Sequence, residues 1–368
     1  MRPANLAIDA SRMMSDKRTG TEQYSFEIIR AMAAIRERPE MTLYTRSGQD
    51  TPEVPATSTR PVGPARLWTH FGLSRAMLAD RPTALFVPSH VIPLAHPAVS
   101  IVTIHDLGYL REPGAHPLRQ RVMLDRTTHR NARVARRIIA ISGQTRDDLI
   151  QHYDVPPEKI DVVHHGVSHA RFRPRDDSEP ASVLARHDVT PPYLFFVSTV
   201  QPRKNVVRLV EAFEALDTPG LQLVIAGKPG WMSNPIERRI RESPLSPRIR
   251  RLGHVPEEDL PTLYRAAAVY VFPSLFEGFG MTVLEAMASG TPVVTSNTSS
   301  LAEVAGNSAV LVDPRSVAAI ASGIREACDP QNQSALRERG LARAREFSWE
   351  RAAASTLAVI KEAIRDAR

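Results

Sequence analysis

Short apolar runs of strand length alternate with stretches of helical periodicity along nearly the whole chain. This alternation constrains the fold more than any other feature of the sequence. The apolar runs fall at 6–8, 41–44, 84–87, 99–104, 137–141 and 160–163, then at 193–197, 221–226, 249–252, 269–272, 292–295 and 309–312. Helix-like stretches such as 22–35, 119–135, 205–216 and 281–289 separate them. Buried strands alternating with helices give parallel sheets covered on both faces. Twelve strands in one sheet would be unusual, and they divide into two groups of six around a polar stretch at 171–180 that carries two prolines. That stretch reads as an interdomain linker. The length, 368 residues, suits two domains at about 100–200 residues each. The expectation is an α/β protein of two doubly wound, Rossmann-like domains, 1–172 and 173–348, facing a central cleft. Ligands of such sheets bind at the strand carboxyl ends.

Composition narrows the classes. With 42% hydrophobic and 24% charged residues, the chain can bury real cores, which excludes wholesale disorder. Its one cysteine, Cys328, excludes a disulfide framework and any multi-thiolate metal site. The opening MRPANLAIDASRMM has no apolar core of signal-peptide length, and no run approaches the roughly 18 apolar residues of a membrane span. A cytoplasmic protein is expected, soluble or peripheral at the inner face of the cell membrane. The net charge of +7 comes from 47 Lys and Arg, of which 42 are Arg, against 40 acids. Arginine forks suit phosphates, but genome composition gives the same skew.

The sharpest segment is 273–294, PSLFEGFGMTVLEAMASGTPVV. A strand ends at Phe272, a loop with Gly278 and Gly280 follows, and a helix starts near Gly280. The glycines let backbone approach a ligand closely, and the helix start offers N–H groups to a phosphate. Glu277 in the loop and Glu285 in the helix are placed to meet hydroxyls at opposite ends of one extended ligand. A tight strand-to-helix turn with solvated glutamates is the competing reading of the spacing alone. In 197–205, VSTVQPRKN, the cations Arg203 and Lys204 follow a strand and precede a helix. That arrangement makes a site for a diphosphate leaving group, or else an exposed basic loop. His105 follows the apolar strand 100–104. Before the helix 22–35, Gly20 permits close approach and Thr21 is the candidate cap.

The 273–294 segment resembles the Glu-x7-Glu signature of retaining GT-B glycosyltransferases, in particular the family called GT4. The elements VSTVQPRKN, LVIAGK at 223–228, RLGHVPEEDL at 251–260, IHDL at 104–107 and ISGQTRDDL at 141–149 also look like family elements, in the family's order. The resemblance implies a GT-B fold and transfer of a sugar from a nucleoside-diphosphate donor, with retention, to an acceptor hydroxyl on a glycan or lipid-linked glycan. It implies that Glu285 holds the nucleotide ribose. Glu277 and the backbone from Gly278 and Phe279 through Gly280, Met281 and Thr282 would hold the rest of the donor. Val255, in the loop 253–256, would meet the base, and Arg203 and Lys204 the diphosphate. His105 would bond the donor sugar near the reaction centre, and Gly20 and Thr21 belong to a loop that closes over the diphosphate. No metal or other cofactor is implied, because the two cations take a metal's place. The last helix, 349–368, is expected to cross back to the N-terminal domain. Elements 8–12 and 19–24 resemble bacterial mannosyltransferases of surface-polysaccharide assembly, which favours GDP-mannose over UDP-glucose or UDP-N-acetylglucosamine.

Alternatives remain at this level: a sugar-nucleotide-binding protein without transferase activity, or a GT-B epimerase or phosphorylase. A phosphorylase needs a pyridoxal phosphate lysine and a much longer chain, and here there are five lysines. His164 and His165 are adjacent in an extended segment, so their side chains point to opposite faces and do not share a metal. The arginines at 119, 121, 126, 130, 133, 136 and 137 make a basic stretch. It is either a solvated helix face or a surface for anionic lipid or a phosphorylated acceptor. No nucleic-acid motif accompanies it.

Overall fold

The computed structural model describes residues 5–13, 18–48, 52–63, 66–89, 91–174, 180–216 and 218–367. Ser15, Asp16 and Lys17 of the first loop, and 175–179 of the expected linker, lie outside the described residues. The chain forms two compact units. Unit 1 is Met1–Leu107, Val122–Gly166 and Trp349–Arg368, and unit 2 is Gly108–Arg121 and Val167–Ser348.

Unit 1 is built on a seven-stranded parallel sheet: β1 (Asn5–Asp9), β2 (Glu40–Arg46), β3 (Ser58–Val62), β4 (Ala84–Val87), β5 (Ser100–Ile104), β6 (Arg137–Ala140) and β7 (Ile160–Val162). Its order is β3-β2-β1-β4-β5-β6-β7. Unit 2 carries six parallel strands: β8 (Tyr193–Val197), β9 (Gln222–Ala226), β10 (Ile249–Gly253), β11 (Val269–Phe272), β12 (Val293–Ser296) and β13 (Val310–Val312), in the order β10-β9-β8-β11-β12-β13. Both orders reverse direction once, between β1 and β4 and between β8 and β11. Loops leaving such neighbouring strands diverge and open a crevice at the carboxyl ends.

The sheets explain why the strands read as continuous apolar runs rather than alternating ones. Every residue of β4, β5 and β11 is buried, as expected of strands covered on both faces. The added strand is β3. It sits at the sheet edge, is exposed over most of its length and contains Pro61. A polar, proline-bearing segment is tolerated only at such an edge, and it carries no apolar run to be read. The helix Trp349–Arg365 groups with unit 1. Its buried stripe includes Trp349, Ala352, Ala353, Leu357, Ile360 and Ile364. These recur at three- and four-residue intervals, so one face packs against unit 1 while the polar residues face out.

Candidate functional site

In unit 2 the candidate residues converge at the β8/β11 reversal, which brings together side chains more than seventy residues apart in sequence. Arg203 and Lys204 lie in a short 3-10 turn, Pro202–Lys204, after β8. Glu277 lies in the loop after β11. Lys204 Nζ donates to Glu277 Oε1 at 2.7 Å, and Arg203 Nη1 stands 3.1 Å from Oε2. Ser274 Oγ donates to Oε1 at 2.5 Å. The same guanidinium donates to the Phe276 carbonyl. The two loops are tied further by backbone, the Leu275 amide donating to the Arg203 carbonyl at 2.9 Å. All three charged side chains are about nine-tenths buried. Burial alone would push the Glu277 carboxyl up, but Arg203 and Lys204 outweigh it and hold it below its ordinary value. The two cations are therefore not an exposed basic loop.

Asn205, just beyond the pair, adopts a left-handed backbone at φ 60°. Its side-chain amide donates to the carbonyls of Pro273 at 2.9 Å and Pro314 at 2.6 Å, which locks the turn against the loop after β11. Gly280 closes that loop at φ 117°, and a Cβ there would come within 2.8 Å of Leu301 Cδ2. The helix Met281–Ala288 starts at once. Its first internal amide bond is from Val283 to the Gly280 carbonyl, at 3.0 Å. The N–H groups of Met281 and Thr282 thus lie outside the helix's own ladder, at its positive end. Ser300 Oγ braces the loop from beneath, donating to the carbonyls of Glu277 at 2.7 Å and Phe279 at 3.0 Å.

Glu285 sits in a different environment. Tyr264 donates its hydroxyl to Oε2 at 2.8 Å. Burial, the dominant cause, pushes the carboxyl up to about 7, while the Tyr264 bond and the Arg171 charge oppose the rise. One carboxylate of the pair is thus held ionised and the other is poised near neutrality. Val255 is buried in the loop after β10. The neighbouring Gly227, at the end of β9, has φ 119°, and its Cα faces the Ser198 carbonyl so closely that a Cβ would lie 1.8 Å from the oxygen.

In unit 1, His105 follows β5, and its Nε2 donates to the Pro88 carbonyl at 2.8 Å. Tyr24 meets the imidazole edge-on with ring centroids 4.9 Å apart, and stacks on His165 at 4.5 Å. His165 in turn stacks on Trp349 at 5.8 Å. Burial, then His105 and His164, hold the His165 imidazole well below its ordinary range, so it stays neutral. Gly20 and Thr21 form the first turn of the helix Gly20–Ala34, which carries Tyr24. The cap of this helix is Thr19, not Thr21. Thr19 has the extended backbone a cap needs, and Glu22 completes a capping box by accepting from its amide at 3.0 Å. Thr21 already lies inside the helix.

Several residues here were not singled out by sequence. Tyr264, Ser274 and Ser300 are positioned only by the folded loops. Gln201 precedes the basic pair, is 4% exposed, and has an Oε1 with no hydrogen-bond partner. A buried amide oxygen of that kind awaits a donor, and its place beside Arg203 was the available signal. Among the described residues, no group of three or more His, Cys, Asp or Glu side chains is placed to hold a metal ion.

Two Rossmann-like units, each built on a parallel sheet with one reversal, make the GT-B class of fold. The comparisons agree. Residues 182–346 match the family model described as glycosyl transferases group 1, and residues 18–171 match the one described as glycosyltransferase family 4. The O-antigen chain mannosyltransferase B of Escherichia coli is 28% identical over 93% of this chain and 96% of its own. The D-inositol 3-phosphate glycosyltransferase 1 of Catenulispora acidiphila is 31% identical over 79% of this chain and 72% of its own. Among solved structures, the sucrose-phosphate synthase of Thermosynechococcus elongatus superposes with a TM-score of 0.79 over 98% of both chains, at 21% identity. The chain belongs to glycosyltransferase family 4, and it is a glycosyltransferase.

Proposed function

We propose that the protein transfers a hexose, mannose in the favoured reading, from a nucleoside diphosphate to an acceptor hydroxyl on a glycan or lipid-linked glycan, with retention of configuration. The observation that carries the proposal is the buried Arg203–Glu277–Lys204 cluster beside the start of the helix Met281–Ala288. Unit 2 then holds the donor and unit 1 the acceptor. Arg203, Lys204 and the Met281 and Thr282 amides neutralise the departing diphosphate, without a metal ion. Glu277 takes sugar hydroxyls, Glu285 takes the ribose hydroxyls, and His105 bonds the sugar. The C1–phosphate oxygen bond breaks as the acceptor oxygen bonds C1 on the same face. The acceptor proton passes to the departing phosphate oxygen, so no separate base is needed. Mannose is favoured by the resemblance of elements 8–12 and 19–24, and by the 28% identity to an enzyme named as a mannosyltransferase.

A thermal-shift panel of GDP, UDP and ADP with their sugar conjugates tests the donor. GDP and GDP-mannose are expected to raise the melting temperature most. A response to UDP alone would overturn the mannose reading. Loss of transfer on chelation, restored by a divalent ion, would overturn the metal-free reading.

A further inference from the structure

Four rings of unit 1 form one chain of contacts that ends at His105. Trp349 opens the helix Trp349–Arg365, which packs along the helix Gly20–Ala34 that carries Tyr24. Lys361 Nζ ties the far part of that helix down, donating to the Glu37 carbonyl at 2.7 Å. The Trp349 indole stacks on the His165 imidazole, with centroids 5.8 Å apart and planes 27° apart. His165 stacks on Tyr24 at 4.5 Å and 26°. Tyr24 then meets the His105 imidazole edge-on, at 4.9 Å and 84°. All four side chains are more than nine-tenths buried.

These contacts carry orientation as well as apolar area. The bond from His105 Nε2 to the Pro88 carbonyl sets where that ring atom lies. The perpendicular Tyr24 ring sets the plane of the imidazole, because aromatic pairs prefer particular interplanar angles. Tyr24 is itself pinned at its tip, its hydroxyl lying 3.1 Å from Thr103 Oγ1 at the end of β5. That tie leaves the ring able to swing about its tip, and His165, backed by Trp349, closes the movement. Close-packed interiors pass displacement from one side chain to the next. A smaller side chain at 349 would leave a void behind His165, and the rings in front of it would shift towards it.

We infer that Trp349 is a positioning residue for His105, acting through the rings of His165 and Tyr24. The inference rests on the reading that His105 bonds the donor sugar. It gives the first residue of the last helix a part in the reaction beyond packing: it holds the imidazole plane at which the sugar is met. Displacement by about 1 Å near a reacting centre costs up to about a hundredfold in rate, and a partial tilt of the ring costs less.

The test measures release of GDP from GDP-mannose by the full chain, which needs no acceptor glycan, with UDP-glucose and UDP-N-acetylglucosamine as further donors. Trp349→Leu is expected to lower kcat about tenfold and to leave the donor KM within about twofold, because the groups assigned to the nucleotide lie in unit 2. Trp349→Phe, which keeps an aromatic face behind His165, is expected to recover most of the rate. Tyr24→Phe keeps the ring but loses the tie to Thr103, and is expected to lower kcat by about threefold. This smaller change keeps the comparison available if Trp349→Leu does not fold. His105→Ala is expected to be slower than any of these, and neither Trp349→Leu nor Tyr24→Phe is expected to slow it further. Melting temperatures report the fold of each variant. Variants that melt lower but turn over normally, or that slow His105→Ala as much as they slow the wild type, overturn the inference and leave the reading of His105 standing. Normal turnover by His105→Ala, or none by the wild type with any of the three donors, overturns that reading and the inference with it.

Discussion

Glu285 gives the most discriminating prediction, because its environment fixes both a sign and a size. Its carboxyl is pushed up to about 7 by burial. If it accepts the ribose hydroxyls, the ionised form does so far more strongly than the neutral acid. Apparent affinity then scales with the ionised fraction, about one in eleven at about pH 6 and about ten in eleven at about pH 8. Binding of a nucleotide sugar should therefore tighten about tenfold across that interval. A nucleotide sugar is the right probe, since it lacks the terminal phosphate ionisation that titrates near 6 in a free nucleotide.

Glu285→Gln should bind weakly at both pH values and lose the slope. Tyr264→Phe removes a bond that lowers the Glu285 pKa, so its midpoint should move to higher pH. Stability should run the other way. A carboxyl with a folded pKa above its unfolded value of 4.5 stabilises the fold fully below 4.5, and that contribution is lost as pH rises through about 7. The full span is about 3 kcal/mol. Calorimetric titration across the pH range measures affinity and, in two buffers, the protons released. A flat affinity profile, or a slope that survives Glu285→Gln, would refute the role given to this residue.

Two further predictions separate charge from shape in unit 2. Glu277→Gln leaves Arg203 and Lys204 without their counter-charge, so nucleoside-diphosphate affinity should rise about tenfold while transfer falls steeply. Weaker diphosphate binding, comparable to that of Lys204→Ala, would show that Glu277 does not neutralise the pair. Gly227→Ala should lower stability by more than about 3 kcal/mol, because its Cβ would meet the Ser198 carbonyl at 1.8 Å. A urea titration that finds it near wild type would mean the β8 and β9 ends are not held in this contact.

Legibility in the sequence followed burial. Strands such as β4, β5 and β11 are buried throughout and therefore write an unbroken apolar run, which is why both sheets could be read. β3 writes none, because an edge strand needs only backbone pairing and tolerates Pro61. Residues of the candidate site were legible where a motif lies within one continuous stretch of chain, as Glu277, Gly280 and Glu285 do. Tyr264 was not, since its bond to Glu285 depends on how the helix Leu260–Ala266 packs beside the helix Met281–Ala288. Thr19 shows the local limit: two threonines flank Gly20, and only backbone geometry with Glu22 at the third helical position selects the cap.

The cluster in unit 2 also changes what the arginine-rich composition means. Two buried cations without a counter-charge would each cost several kcal/mol in desolvation. Glu277 supplies the counter-charge, Ser274 donates to its carboxylate, and the Phe276 carbonyl accepts from Arg203. The site is therefore assembled before any ligand arrives, with one positive charge left over from two cations and one anion. A diphosphate meets groups already in position and spends little binding energy on ordering them. The carboxylate that makes the cations affordable in the empty fold also weakens their pull on a phosphate. A strong attraction suits capture of the donor, but a moderate one lets the diphosphate leave. On the proposed reading, Glu277 sets that balance as well as holding the sugar.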